Sequence, residues 1–401
     1  MILLKVTFNF NIDPGAAMST TSTSRWFRFN SWLHRWTSLL ATLPFLVLCL
    51  TGTVLIFHEE IDHALGVVPV SQGATDAPSR PMGESIARVL AAYPDERVAS
   101  TSIDEHHPGV LLVVTVPNDD ASFDLAQLRY ADLASGQLIG ASDPGTTLTG
   151  FLLELHAQWF LGPVGELIGA LIALLVLLSL LSGLVVYAPY VRRIALGIVR
   201  RDRGARVLQI DLHNLIGAVV LGWALVVTVT GFLLGFSTLA TGLWQASGLK
   251  DLRAQAAALA PVDTRRPPVD VDRVFAAARA SADPGWDVVT AIFPGTEFST
   301  PRHYTVLLVG EGIDERLFRV AAIDAATGEV SASVGMPAYI KAITLAEPLH
   351  FGDYGGLALK LLWTACTWLT LFITANGAWL WWDRRRRRRH AASRVAPEAA
   401  V

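Results

Sequence analysis

The sequence predicts a mainly α membrane protein: four transmembrane helices in a parallel internal repeat, with two small α+β domains on the outer side. Three observations predict it. Four stretches lack Asp, Glu, Lys, Arg and His over lengths that cross a bilayer, arginine clusters at alternate ends of them, and one His, Thr, Gly spacing occurs twice. Composition agrees. The 401 residues are 52% hydrophobic and 17% charged, against roughly 25% charged in a soluble domain. Mean hydropathy is +0.42. These values argue against an ordinary cytosolic enzyme.

Residues 1–24 read as a disordered N-terminus. Met1–Phe10 is apolar but too short to span, and its flanks do not resemble a signal peptide; Met18 is an alternative start. The uncharged stretches are Trp36–Phe57, Leu167–Val191, Asn214–Leu249 and Leu361–Trp382. About 20 apolar residues cross ~30 Å of hydrocarbon, so each qualifies, and the third helix should end near Phe236. Transmembrane segments are therefore expected over 25–58, 151–191, 211–238 and 346–383. Outer domains are expected over 59–150 and 239–345, a basic loop over 192–210 and a basic tail over 384–401.

Orientation follows from the loops. Arg25, Arg28 and Arg35 precede the first span, and Arg192, Arg193, Arg200, Arg201, Arg203 and Arg206 lie between the second and third. Arg384–Arg389 follow the fourth, whereas residues 58–155 hold four Lys/Arg against fifteen Asp/Glu. Lys and Arg near span ends stay cytoplasmic, so both termini are expected inside and both long loops outside. A stop-transfer anchor accounts for the arginine run, and no nucleic-acid partner is expected. Trp32, Trp36, Trp379, Trp381 and Trp382 suit an interfacial belt.

Each outer segment has a helix-like stretch, Gly83–Tyr93 or Val271–Ala282, then alternating apolar runs that include Val110–Val116 and Tyr304–Val309. These runs read as strands. Each closes on a strand and a turn, with Asp132 and Gly136 matching Asp324 and Gly328.

The spans repeat as well. LHRWTSLLATLPFLVLCLTG starts at Leu33 and LHNLIGAVVLGWALVVTVTG at Leu212, so Thr51-Gly52 and Thr230-Gly231 fall 17 and 18 residues after His34 and His213. Gly183 follows His156 by 27 residues, and Gly377 follows His350 by the same interval. Two spacings repeated without a gap point to a duplication whose axis runs along the membrane normal.

With its Leu-His span openings, Thr-Gly pairs, Asp…Gly outer turns and basic inner loops, the chain resembles the PepSY-associated transmembrane family over about residues 25–390. The resemblance implies PepSY-like periplasmic domains and a bacterial inner-membrane haem protein that reduces ferric siderophores on the periplasmic side.

The histidines bear on this independently. Histidine in a span is costly and usually functional. Alternating span direction places His34 with His213 at the inner face and His156 with His350 at the outer face. Facing imidazoles suit the two axial positions of haem iron, so two pairs suit two haem b; no Cys-x-x-Cys-His exists for covalent attachment. Interfacial snorkelling and a transition-metal site are the alternatives. At 1.5 Å per residue, Gly52 and Gly231 fall ~27 Å beyond His34 and His213, level with the outer pair. Gly183 and Gly377 fall ~40 Å beyond His156 and His350, level with the inner pair. They let a macrocycle approach, or only pack helices. Arg35 is a candidate propionate partner. Glu154 and Glu347 are candidates to orient the outer imidazoles. His58 lacks a counterpart in the repeat; His106, His107, His303, His63 and His390 read as surface groups, and Cys49 and Cys366 as packing residues.

No nucleotide-binding motif is present, so the electron donor must be separate, a quinol or a cytoplasmic reductase. The expected acceptor is ferric siderophore, reduced at the outer domains with release of Fe(II). The competing reading is a non-enzymatic membrane protein whose PepSY-like domains bind peptides or regulate a protease; such a module has no need of paired histidines. A transporter would want more ionisable residues inside the spans than these offer.

Overall fold

The computed structural model describes residues 24–71, 79–103, 107–119, 122–191, 197–248, 250–310 and 316–395. The expected disorder of residues 1–23, the placement of His106, and Arg192 and Arg193 lie outside them. The chain opens with helix α1 (Arg25–Leu55), whose first turn is capped by Ser24 Oγ accepting from Phe27 N at 3.2 Å. After α2 (His58–Ala64) and α3 (Met82–Ala92) come strands β1 (Glu96–Ile103), β2 (Val110–Pro117), β3 (Gln127–Asp132) and β4 (Leu138–Ser142). Then follow α4 (Leu148–Leu153), a π-helical turn at Glu154–Gln158, α5 (Pro163–Val191) and α6 (Ala205–Leu234). Helices α7 (Ser237–Gly248), α8 (Lys250–Ala258) and α9 (Val271–Ser281) precede β5 (Trp286–Ile292), β6 (His303–Gly310), β7 (Phe318–Asp324) and β8 (Val330–Gly335). Helices α10 (Ala338–Phe351) and α11 (Gly356–Val395) end the chain.

Helices α1, α5, α6 and α11 are long and apolar enough to cross a membrane. They pack as a ring in which α1 touches α5 and α11, and α6 touches the same two. Their outward faces carry Leu40, Leu43, Leu171, Val219, Leu361 and others in the open, the expected pattern where lipid rather than water surrounds a helix.

Two of the expected spans differ from the sequence reading. Residues 151–191 do not form one helix, because the π turn and the left-handed residues Trp159 and Phe160 separate His156 from α5. Residues 346–383 are likewise broken at Gly352, between α10 and α11. The ~40 Å expected from unbroken helices is therefore too long for either His–Gly separation. The third span ends at Leu234, close to the expected Phe236, and α11 continues through the arginines that were expected in a tail.

All eight strands belong to one antiparallel sheet in the order β4-β3-β2-β1-β5-β6-β7-β8. Two separate domains were expected; instead the inner edges join, with Ser100 opposite Ile292, Thr101 opposite Ala291 and Ser102 opposite Thr290. Joining them pairs backbone groups that would otherwise lie on two open edges. Helices α3 and α9 cover one face and share a core with both halves, through Val89, Val98, Leu111, Val274, Phe275, Val306 and Ile323. The Asp272 carboxylate on α9 accepts from Met82 N and Gly83 N of α3, at 2.8 and 2.9 Å. It caps the other half's helix, where its charge also suits the N-terminal dipole. The two expected turns form at equivalent places: Asp132 Oδ1 accepts from Ser135 N, and Asp324 Oδ1 from Ala326 N.

Candidate functional site

Histidines lie at both ends of the four-helix ring. On the side where the chain carries its arginines, His34 of α1 and His213 of α6 face each other, ring centres 6.5 Å apart and planes 75° apart. On the sheet side, His156 of the π turn faces His350 of α10, at 6.3 Å and 64°.

The hydrogen bonds of the rings fix their orientation. His34 Nδ1 donates to the Ser179 carbonyl of α5 at 2.8 Å, and His350 Nδ1 to the Val227 carbonyl of α6 at 3.0 Å. His156 Nδ1 lies against the Leu48 carbonyl and 2.8 Å from Thr51 Oγ1. Thr51 spends its hydroxyl proton on the Val47 carbonyl, so it accepts from His156. Thr230 does the same for His350 at 3.2 Å while donating to the Val226 carbonyl. His213 Nδ1 faces the Ile373 carbonyl outside hydrogen-bonding geometry. A carbonyl only accepts, so a ring bonded to one carries its proton on Nδ1 and leaves the Nε2 lone pair free. Metal-ligating histidines are commonly held in this way.

Each ring also rests on one of the four glycines. A Cβ built on Gly183 would lie 3.0 Å from His34 Cε1, and one on Gly377 3.3 Å from His213 Cε1. On the sheet side the contacts are Gly52 to His156 at 3.1 Å and Gly231 to His350 at 2.9 Å. The carbonyl beside each imidazole belongs to the residue four before the glycine: Ser179, Ile373, Leu48 and Val227. One device thus recurs four times: a helix turn with its side chain removed, carrying a ring against its exposed backbone. The glycines make room for the imidazoles themselves.

Other expected members sit elsewhere. Arg35 is exposed, its guanidinium 5.6 Å over the Trp36 ring. Glu154 and Glu347 make no bond to either outer imidazole among the described contacts; carbonyls and threonines hold those rings instead. His58 bonds back to the Leu55 carbonyl at 2.9 Å, apart from the pairs. His303, expected at the surface, is buried, with Nδ1 2.9 Å from Thr300 Oγ1 and Nε2 3.0 Å from Ser331 Oγ. The residues missed from sequence were Ser179, Thr51 and Thr230. The repeated Thr-Gly spacing carried the signal for the threonines; a carbonyl partner leaves no mark in a side-chain pattern.

The pairs can be tested against haem. Two metal–imidazole bonds of about 2.0–2.1 Å, extended by about 1.1 Å to each ring centre, separate the centres by about 6.3 Å. Both pairs lie at that separation. Among the described residues no group of three His, Cys, Asp or Glu could hold a metal ion. A macrocycle supplies four further nitrogens, and the residues present fit it.

A family model described as the PepSY-associated TM region matches residues 31–384. The chain belongs to the PepSY-associated transmembrane family. An uncharacterized protein of Pseudomonas aeruginosa is 29% identical over 268 residues, which cover 58% of this chain and 63% of that protein. In this member of the family, four apolar helices and an eight-stranded sheet frame two histidine pairs.

Proposed function

We propose that this PepSY-associated protein is a di-haem b oxidoreductase of the bacterial inner membrane. It carries electrons across the bilayer, reduces ferric siderophore at the periplasmic sheet and releases Fe(II). The observation that carries the reading is the recurrence of one ligand geometry at both ends of the helix ring, with ring centres 6.5 and 6.3 Å apart. Its halves are taken as copies of one span–domain–span unit in parallel orientation, both termini and the arginine clusters being cytoplasmic. Positive-inside charge and the attachment of the sheet at the opposite end support this placement.

Haem held by His34 and His213, and by His156 and His350, would supply reversible one-electron chemistry at each face. The chain does the rest. Backbone carbonyls hold His34 and His350 through Nδ1 and Thr51 holds His156, which leaves each Nε2 lone pair free, and the glycines set the depth of all four rings. Ferric iron on hard siderophore oxygens is bound far more tightly than ferrous iron, so a single electron loosens it without any attack on the organic ligand.

The test is direct. A pyridine haemochrome assay on purified protein should return two haems per chain, with a low-spin b-type difference spectrum after dithionite. Well under one haem per chain overturns the reading.

A further inference from the structure

The arginine side of the helix ring divides into two zones. The uncharged runs start at Trp36 in α1 and stop at Trp382 in α11, which marks the membrane boundary on each helix. At that level arginines fold onto tryptophans: Arg35 over Trp36, Arg385 over Trp381 and Arg386 over Trp382, at 5.6, 5.1 and 5.7 Å. Asp383 pairs with Arg206 and Arg387. Positive charge at a span end anchors the span, and these groups supply it.

Both helices run on past the boundary. Helix α1 starts at Arg25, and α11 passes through all six arginines unbroken. At 1.5 Å per residue, Phe29 and Trp26 lie ~10 and ~15 Å beyond Trp36, and Arg389 lies ~10 Å beyond Trp382. The head-group layer is only about 5–8 Å deep on each side. Trp26 and Phe29 are nonetheless 64% and 50% exposed, and they stack at 6.3 Å on one face of α1. Arg25 stands four residues before Phe29 and Arg28 four before Trp32, so both flank that aromatic stripe. Arg25, Arg28, Arg388 and Arg389 are exposed and make no ion pair among the described residues. Because α1 packs on α11, both overhangs project from the His34–His213 end of the ring.

We propose that these overhangs dock a soluble, acidic electron-carrier protein, the donor to the arginine-side pair. The proposal rests on the haem reading above. Tryptophan and arginine dominate the energetics of protein interfaces, and here both stand beyond the reach of lipid head groups. Unpaired cations attract an acidic partner and speed its approach. A neutral quinol gains nothing from charges outside the bilayer. A nicotinamide delivers a hydride, two electrons at once, and a one-electron iron centre has no place for it. A carrier that gives one electron at a time fits. Its reduced centre is oxidised by one electron, the ferric iron held by His34 and His213 is reduced by one, and no bond or proton moves.

The experiment uses full-length, haem-loaded protein in nanodiscs of phosphatidylcholine, with and without phosphatidylglycerol. The probes are a flavodoxin and a two-iron ferredoxin, both acidic, with a basic cytochrome c as the control. Benzoylphenylalanine in place of Phe29 maps the contact by photocrosslinking. In both lipids it should crosslink to the acidic carriers and not to the cytochrome. Binding, followed by biolayer interferometry, should weaken on the order of tenfold as salt rises from about 50 to about 200 mM. Trp26→Ser with Phe29→Ser, and separately Arg28→Gln with Arg388→Gln and Arg389→Gln, should each weaken it on the order of tenfold, with haem content unchanged. All five side chains are exposed, so the fold does not depend on them. Equally tight binding of the cytochrome, binding that ignores salt, unchanged affinity in either variant, or crosslinks to phospholipid alone would overturn the proposal. Haem content separates the two readings. Haem-loaded protein that binds neither carrier overturns only this one, while haem-free protein overturns the haem reading and leaves carrier binding measurable.

Discussion

A hydrogen atom in place of a methyl group decides where each imidazole lies. The four glycines differ in how much room they leave, and that order makes a prediction. A Cβ at Gly231 or Gly183 would stand 2.9 or 3.0 Å from a ring carbon, closer than at Gly52 or Gly377, at 3.1 and 3.3 Å. Those rings are held by backbone carbonyls and cannot swing away freely. Gly231→Ala and Gly183→Ala should therefore each cost one haem species, the sheet-side and the arginine-side one respectively, while Gly377→Ala should retain both with at most a shifted spectrum. Haem content and the low-spin spectrum of each variant check the order; uniform retention would mean that the glycines only pack helices. His303 supplies a prediction in pH. Burial holds this imidazole below its ordinary value of 6.5; the neighbouring Arg302 lowers it further and Asp324 opposes. The unfolded chain then binds a proton that the fold resists, so stability is full above pH 6.5 and falls as pH drops from there toward the lowered folded value. Thermal unfolding in detergent across pH 5–7.5 measures it, and His303→Gln, which keeps two hydrogen-bonding ends, should flatten the slope.

The breaks before α5 and α11 solve one geometric problem with different residues. After His350 the chain turns through Gly352 at φ +74°, and the Trp363 ring lies 2.6 Å from where a Cβ would stand. After His156 it turns through Trp159 and Phe160 at φ 52° and 57°. A left-handed conformation costs an L-residue about 1–2 kcal/mol. Gly352→Ala should lose at least that much, through both backbone and clash. Phe160→Gly relieves the backbone, but it gives up the ring contact with Phe151 at 5.1 Å and adds chain entropy of roughly 0.5–1 kcal/mol, so it should stay near neutral. Melting temperatures of the two variants distinguish the cases; an equally large loss in Phe160→Gly would mean that its ring, not its backbone, matters. These breaks also mark the limit of what the sequence reveals. Uncharged runs and alternation were enough to read the spans, α3, α9, β2, β6 and both closing turns, because each depends on local periodicity. Trp159 and Phe160 carry no turn signal themselves; Gly162-Pro163 directly after them does mark the break, but the uncharged run was read across it. The β1–β5 seam joins strands some 190 residues apart through three residue pairs, and nothing local announces it. The histidine pairs were legible because identical spacings recur, whereas their carbonyl partners were not.

At the scale of the molecule, charge and fold divide between the two ends. The arginines of α11 and the Arg206–Asp383 pair lie at one end, and the sheet with its capping helices at the other. Between them the ring of α1, α5, α6 and α11 places one histidine pair near each end, so damage at one end should leave the other intact. His34→Ala should remove the arginine-side haem and keep the sheet-side one; His350→Ala should do the reverse. If both variants lost the same spectral species, the pairing would be wrong. The consequence for turnover follows from the order of the sites along the membrane normal. Reduced wild-type protein, mixed in a stopped-flow device without oxygen, should be reoxidised by ferric siderophore, with the Fe(II) trapped by ferrozine. In His350→Ala the arginine-side haem should still accept electrons from dithionite, yet it should stay reduced on mixing, because in the proposed function the acceptor docks at the sheet end and the site that would pass the electron on is missing. His34→Ala should show the complementary result: its remaining haem, once reduced, is reoxidised at the wild-type rate. Reduced wild-type haem that persists for minutes against several classes of ferric siderophore would exclude this acceptor. Reoxidation of His350→Ala at the wild-type rate would place the exit at the arginine end and reverse the proposed direction.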